Sequence, residues 1–306
     1  MKERINTGQF IKDTAKKLGF DGCGIASPKV LEKDIAYYNK WISDRKHGNI
    51  AYLEKNISQK ADPTKILKNT KSVIALVQSY NPDVKQNTEA HYKIAKYALG
   101  NDYHVVMKNK ANLLIATLQK KIKNAEFKVF VDSNSILEKA WAARCGLGWI
   151  GKNTLLINKE LGSYVFICII LTDLDLNYDE LHEDHCGNCN ACMVTCPANA
   201  IESPHQLNAS KCLAYLTIED KSTEVAEGKG KTKGWIYGCD ICQDICPWNN
   251  VIPATTETGF VPNPALLKLT KKDFLNLDEK TFEKLFKNSA IKRIGFAKLK
   301  SNIEKA

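Results

Sequence analysis

Cys186-Gly187-Asn188-Cys189-Asn190-Ala191-Cys192-Met193-Val194-Thr195-Cys196-Pro197 is the stretch on which the reading of this chain turns. It spells C-x2-C-x2-C-x3-C-P, the run in which three thiolates grip one 4Fe-4S cubane and the fourth reaches across to a second. A second cubane needs three more thiolates. Downstream, Cys239, Cys242 and Cys246, followed by Pro247, supply the end of another such run, and Cys212 is the nearby candidate for its missing first ligand. The crossing rule then assigns Cys186, Cys189, Cys192 and Cys246 to one cluster and Cys212, Cys239, Cys242 and Cys196 to the other. Two clusters that share their motifs lie close together, so the segment is built to pass single electrons.

Competing uses of cysteine fit less well. Structural zinc takes four ligands from two separated pairs and has no use for the longer run. A disulfide framework needs an oxidising compartment, and Met1 to Val30 shows neither an apolar signal core nor a small-residue cleavage site. Cys23, Cys145 and Cys168 remain outside the pattern; Cys168 sits in the apolar run Tyr164 to Leu171 and reads as a buried strand residue.

Working outward, the 306 residues are enough for two or three domains, with 44 % hydrophobic and 25 % charged residues. The longest apolar run is about eight residues, far below the ~20 that span a bilayer, so no membrane span is predicted. Of the formal charge of +10, more than half lies from Val261 to Ala306, where eleven Lys and Arg face five Asp and Glu. The pattern predicts an α+β protein in three regions. Residues 1–180 form an α/β or α+β domain with buried strands at Val73 to Val77, Lys128 to Val131 and Tyr164 to Leu171. Residues 181–255 form a bacterial-ferredoxin-like domain organised by its clusters, with one polar insertion from Asp220 to Lys233. Residues 256–306 form a basic helical tail, in which Thr270 with Asp273, and Asp278, look like N-caps.

An electron-transfer segment attached to about 180 other residues implies a redox enzyme, since a plain ferredoxin needs only the cluster segment. Gly146-Leu147-Gly148-Trp149-Ile150-Gly151 fits G-x-G-x-x-G, but it follows a predicted helix, Ser135 to Arg144, and lacks a ribose-binding acid at the usual distance. Two other readings stay open: a helix end capped by Gly146, and a loop whose bare backbone approaches a large flat cofactor.

Several words of the sequence resemble the epoxyqueuosine reductase family. They are Val131-Asp132-Ser133, Glu138-Lys139-Ala140, and the segment from Ala143 to Leu156. Ala61-Asp62-Pro63, Gly100-Asn101-Asp102-Tyr103-His104, Tyr215 to Glu219, and Gly238 to Asn249 complete the match, which covers essentially the whole chain. The resemblance implies a cobalamin-dependent enzyme with two 4Fe-4S clusters, akin in design to reductive dehalogenases. Its reaction is the last step of queuosine synthesis, removal of the epoxide oxygen from a modified wobble base within tRNA.

From that resemblance Asp132 is the proton donor, kept protonated by burial against the corrin or by another anion. Taken alone, an aspartate there could equally cap a helix starting near Ser133. The resemblance also places Lys55, Ala95, Asp132 and Asn153 near the corrin, with Asp240 on the cluster side. Lys55 stands where many relatives carry arginine, and Ala95 where some carry a cysteine. The D-x-H-x-x-G word of base-off corrinoid sites is absent, so no axial histidine is implied.

Lys292, Arg293, Lys298 and Lys300 resemble the start of the family's C-terminal helical-repeat domain, of which this chain is a short form, and they are expected to contact tRNA phosphates. Trp235, Tyr237 and Trp248 are core aromatics or a stacking surface for loop bases. The expected partners are tRNA carrying epoxyqueuosine and a low-potential donor such as flavodoxin or ferredoxin, with the enzyme a cytoplasmic monomer. Two other classes share parts of this pattern. A corrinoid reductive dehalogenase would carry a twin-arginine signal, which Met1-Lys2-Glu3-Arg4 lacks, and a ferredoxin-like electron carrier would have no substrate of its own.

Overall fold

Every residue from Ser72 to Ser79 is buried, and this follows from a strand covered on both of its faces. In the computed structural model, which describes residues 2–82, 84–87, 90–221 and 232–306, it is the second of four strands in an antiparallel sheet. These are β1 (Gly22–Ala26), β2 (Ser72–Ser79), a strand at Phe127–Phe130 and another at Val165–Thr172. The last of these runs through the middle, paired with β2 along its whole length and with Phe127–Phe130 on its other side. All three predicted strands are present to within about a residue at most ends. The antiparallel pairing decides for α+β over α/β in this part of the chain.

Strand alternation divides the core in two. Ile74, Leu76, Cys168 and Ile170 face one side and are covered by α1 (Lys2–Lys17) through Ile11 and Ala15. A later helix at Tyr103–Gln119 covers the same side through Met107, Ala111, Leu114 and Leu118. Val73, Ala75, Val77, Ile169 and Leu171 face the other side, against Trp141, Ala142 and Cys145 of the Glu138–Arg144 helix and its end. In chain order the helices are α2 (Glu32–Ser43), α3 (Ile57–Ala61), α4 (Tyr103–Gln119) and α5 (Glu138–Arg144). The strands continue with β3 (Lys93–Ile94), β4 (Phe127–Phe130), β5 (Trp149–Ile150), β6 (Leu156–Ile157) and β7 (Val165–Thr172).

Cys168 is fully buried, as its apolar run predicts, and burial raises its thiol pKa. The helix before the glycine-rich segment starts at Glu138, three residues later than predicted, and ends on Gly146 at φ +71. A Cβ at Gly146 would strike the carbonyl oxygen of Glu180, and one at Gly148 would strike that of Ile157. The helix-end reading therefore holds, and the space these two glycines free is filled by protein rather than by a cofactor.

The cysteine-rich part consists of short elements: α6 (Ala191–Val194), β8 (Ile201–Ser203), β9 (Gln206–Leu207), α7 (Leu213–Ile218), β10 (Trp235–Tyr237) and α8 (Ile241–Asp244). One of its links to the first part is a parallel pairing of β10 with β3. Residues 222–231, the middle of the predicted polar insertion, lie outside the described residues. The tail holds α9 (Pro264–Leu267), α10 (Lys271–Leu275), α11 (Glu279–Leu285) and α12 (Gly295–Lys305). Thr270 and Asp273 form a capping box and Asp278 caps α11, both as predicted. Phe274, Phe282, Phe286, Ile291, Leu299 and Ile303 pack onto Ile94, Leu99, Ile236 and Tyr237. The tail is thus docked by its apolar face along the β3/β10 pair. Among the described residues no helix is long and apolar enough to cross a membrane.

Candidate active site

Asp102 starts the site because it starts a helix. Its carboxylate accepts the backbone N–H of His104 at 3.0 Å, capping α4, and the same oxygen lies 2.7 Å from Nδ1 of the His104 ring. The imidazole is thereby oriented with Nε2 pointing away from the helix end. Beside it, Tyr103 stacks on the His104 ring at 4.1 Å and on Phe166 at 4.4 Å.

Asp132 meets this group from the loop after β4. Its φ of +50 is left-handed, a conformation that costs a non-glycine residue roughly 1–2 kcal/mol. Two contacts offset that cost: the Tyr103 hydroxyl donates to Oδ2, and Nε2 of His104 lies 3.3 Å from the same oxygen. Asp132 caps no helix, since α5 begins only at Glu138. The hydrogen bond from His104 holds the Asp132 carboxyl below the usual carboxylate range, outweighing desolvation. That direction is opposite to the one expected of a protonated Asp132. Its partner takes the proton instead: hydrogen bonds to Asp102 and then to Asp132 raise His104 to about 9.

Glu138 and Lys139 open α5 beside this group. Desolvation pushes Glu138 up to about 8 although its carboxylate accepts the Ser133 N–H at 3.0 Å. Lys139 is exposed, yet surrounding protein lowers its pKa, and its ammonium donates to the Thr154 carbonyl at 2.8 Å. Lys139 feels the charges of both Asp132 and Cys242, and Asn153 Nδ2 lies 3.5 Å from the Cys242 carbonyl. Lys139 and Asn153 therefore stand between the Asp132 loop and the cysteine-rich segment. Nearby, Arg293 pairs with Glu219 at 2.5 Å, and its charge acts on Tyr52 and Asp132.

The thiols fall into two neighbourhoods. Ionisation of Cys192 is opposed by burial and then by charge on Cys246, Cys186 and Cys189. Cys239 is pushed up to about 12 by burial and then by Cys212 and Cys196, while Cys242 is raised by burial and then by Cys212 and Cys239. The crossing rule's assignment is compatible with these couplings. Cys242 also feels Cys192, so the sets adjoin. Such crowded, desolvated thiols become thiolates only against compensating positive charge, which iron supplies. Among the described residues no three His, Cys, Asp or Glu side chains converge as the ligands of a single ion do; a cubane instead spreads four thiolates around four irons. The indole N–H of Trp149 is buried without a partner in the cluster that also contains Cys246 and Cys186, as a donor toward cluster sulfur would be. The donor set fits two cubanes.

Other residues singled out from the sequence lie at different depths. Lys55 is exposed, just beyond Tyr52. Asn153 is buried, and Ala95 and Asp240 are each 1 % exposed. Ala95 donates its N–H to the Tyr237 carbonyl at 2.8 Å, and Asp240 accepts that of Lys96 at 2.6 Å, so both are held in the interior. Trp235 and Tyr237 are core residues, and Trp248 packs edge-on against Trp149 at 4.9 Å.

The tail cations are less free than their sequence implies. Lys292 pairs with Glu283 at 2.8 Å, Lys298 donates to the Leu216 carbonyl at 2.9 Å, and Lys300 donates to that of Leu275. Sequence reasoning did not single out His104, Tyr103 or Glu138 as functional, although Asp102-Tyr103-His104 and Glu138-Lys139 stood among the quoted words. An aspartate two residues ahead of a histidine at a helix start was the available signal.

Comparison with known proteins matches residues 185–249 to a 4Fe-4S double cluster binding domain and residues 60–133 to the family described as epoxyqueuosine reductase QueG. An epoxyqueuosine reductase of Cellulophaga algicola is 42 % identical over 304 residues, covering 99 % of each chain. An epoxyqueuosine reductase crystallised with an epoxyqueuosine-modified tRNA-Tyr stem loop superposes with a TM-score of 0.89 at 27 % identity, covering 96 % of this chain and 79 % of the other. The Bacillus subtilis epoxyqueuosine reductase, whose structure has a catalytic aspartate loop swung out of the active site, gives a TM-score of 0.88 at 26 % identity with the same coverage.

Proposed function

The chain belongs to the epoxyqueuosine reductase family, and we propose that it reduces epoxyqueuosine to queuosine at the wobble position of tRNA, with the Asp132 loop meeting the substrate oxygen. The observation that carries this reading is the closeness of two groups: Asp132, held by Tyr103 and His104, and Cys242 of the cysteine-rich segment both act on Lys139.

Deoxygenation takes two electrons and two protons and releases water, turning the epoxide into an alkene. Cys186, Cys189, Cys192 and Cys246 would hold one 4Fe-4S cluster, and Cys212, Cys239, Cys242 and Cys196 the other, which together deliver electrons one at a time. When bound, cobalamin would supply a strongly reducing, nucleophilic centre for the epoxide carbon. Lys55, Asp132, Lys139 and Asn153 would line its face, with Ala95 and Asp240 supporting them from the interior.

Asp132 holds its position through Tyr103, which leaves Oδ2 at the junction of the histidine and the substrate space. There it relays a proton to the alkoxide as the C–O bond opens, which spares the reaction a free charged oxygen in a desolvated site. Arg293 and Tyr52 face the tRNA strand, and a guanidinium there suits a phosphate flanking the wobble nucleotide. The electron donor would be a low-potential flavodoxin or ferredoxin, and the enzyme a cytoplasmic monomer, located with its tRNA.

Anaerobic incubation of the reconstituted protein with cobalamin, a low-potential reductant and epoxyqueuosine-tRNA tests the proposal. Nucleoside mass spectrometry should show loss of one oxygen from the modified base. Unchanged epoxyqueuosine after full cluster loading would overturn it.

A further inference from the structure

We propose that His104 is the proton reservoir of this reaction: lined up between the carboxylates of Asp102 and Asp132, it passes a proton through Asp132 to the substrate oxygen and is recharged from solvent. The inference rests on the reaction proposed above and assigns a positioning and relay role within it.

The geometry carries the argument. Asp102 Oδ1 lies 2.7 Å from Nδ1 of His104, and Asp132 Oδ2 lies 3.3 Å from Nε2, so a carboxylate stands at each end of one imidazole. With Asp102 accepting from Nδ1, the proton that can leave is the one on Nε2. Tyr103 fixes that same Oδ2 by donating to it, and its ring stacks on His104, which stops the imidazole from turning away. The His104 side chain is 38 % exposed, so solvent can recharge it.

Charges facing the histidine come from every neighbouring element. Asp102 and Tyr103 belong to the start of α4, Asp132 to the loop after β4 and Glu138 to α5, while Arg293 acts on Asp132, and Tyr237 of β10 couples with Asp102. The two nearest are anionic, so the imidazolium form is the stable one at neutral pH. Asp132, held ionised, is a conduit: it receives the Nε2 proton and passes it to the alkoxide formed when the epoxide C–O bond breaks. Neutral His104 then takes a proton from water and delivers it by the same route when the second C–O bond breaks, so the oxygen leaves as water. With two electrons from the low-potential donor and these two protons, the epoxide becomes an alkene and one water.

The test uses His104→Gln and His104→Ala in the fully loaded enzyme, with tRNA binding and iron content as controls. In wild type, the single-turnover rate should fall as pH rises through about 9. His104→Gln should lose roughly 100-fold in rate together with that pH limb while keeping tRNA affinity, and added imidazole should partly rescue His104→Ala. Without cobalamin or substrate, 15N-histidine NMR should show His104 titrating near 9 with Nδ1 protonated, and lower by about one unit or more in Asp102→Asn. Wild-type rates and an unchanged pH profile in His104→Gln would overturn the relay and leave the proposed reaction standing. If wild type itself does not reduce epoxyqueuosine, the reaction fails and the relay with it, whatever the NMR titration reports about the pairing.

Discussion

Nε2 of His104 lies 3.3 Å from Oδ2 of Asp132 although one residue opens a helix and the other sits in the loop after an edge strand. Two consequences follow. The left-handed backbone of Asp132 is held by its side-chain contacts, and the proton of the pair resides on the histidine.

Asp132→Asn keeps the shape of the side chain and its hydrogen bond from Tyr103 but removes the conduit for a proton. Epoxide reduction should fall by about 100-fold or more in single-turnover assays with cluster content unchanged. Undiminished turnover would exclude Asp132 from the proton path.

Cluster content follows from the two thiol neighbourhoods. Anaerobically reconstituted protein should contain about eight iron and eight sulfide per chain. Cys212→Ala removes a thiol from the set containing Cys239, Cys242 and Cys196, and should leave roughly four iron in the other cluster. Equal loss from both clusters, read by iron analysis and EPR, would contradict the assignment.

Glu138 makes stability depend on pH in a defined direction. Folding raises its pKa from 4.5 to about 8, so the folded protein retains a proton that the unfolded chain releases. Its contribution to stability therefore falls as pH rises from 4.5 toward about 8 and is level above that. Glu138→Gln keeps the acceptor for Ser133 and removes this loss. Its melting temperature relative to wild type should rise between pH 5 and 9, measured on the same preparation.

The four tail cations should separate in experiment. Lys298 spends its ammonium on the Leu216 carbonyl, so Lys298→Met should cost about 1–2 kcal/mol of stability and leave the salt dependence of tRNA binding nearly unchanged. Arg293→Gln should weaken tRNA binding and lower the slope of log affinity against log salt by about 1. Equal effects of the two substitutions on that slope would count against a special place for Arg293.

The strands were legible because their signal is local: Val73 to Val77 and Tyr164 to Leu171 read as unbroken apolar runs, the consequence of burial on both faces. The α10 and α11 starts were equally legible, since an N-cap is written in three or four adjacent residues. The glycine-rich segment stayed ambiguous, because what fills the space beside Gly146 and Gly148 are the carbonyls of Glu180 and Ile157, and Glu180 is distant in sequence.

The sequence by itself determined which thiols can belong together, because ligand spacing within a cubane motif is a covalent constraint. Only the tertiary structure decided the charge on Asp132 and the freedom of Lys298. A carboxyl's ionisation depends on the donors that reach it, and the decisive one, His104, arrives from another element. A lysine likewise looks the same in sequence whether its ammonium faces solvent or the end of a neighbouring helix; folding brought the Leu216 carbonyl to Lys298, and that contact sets what the charge can do.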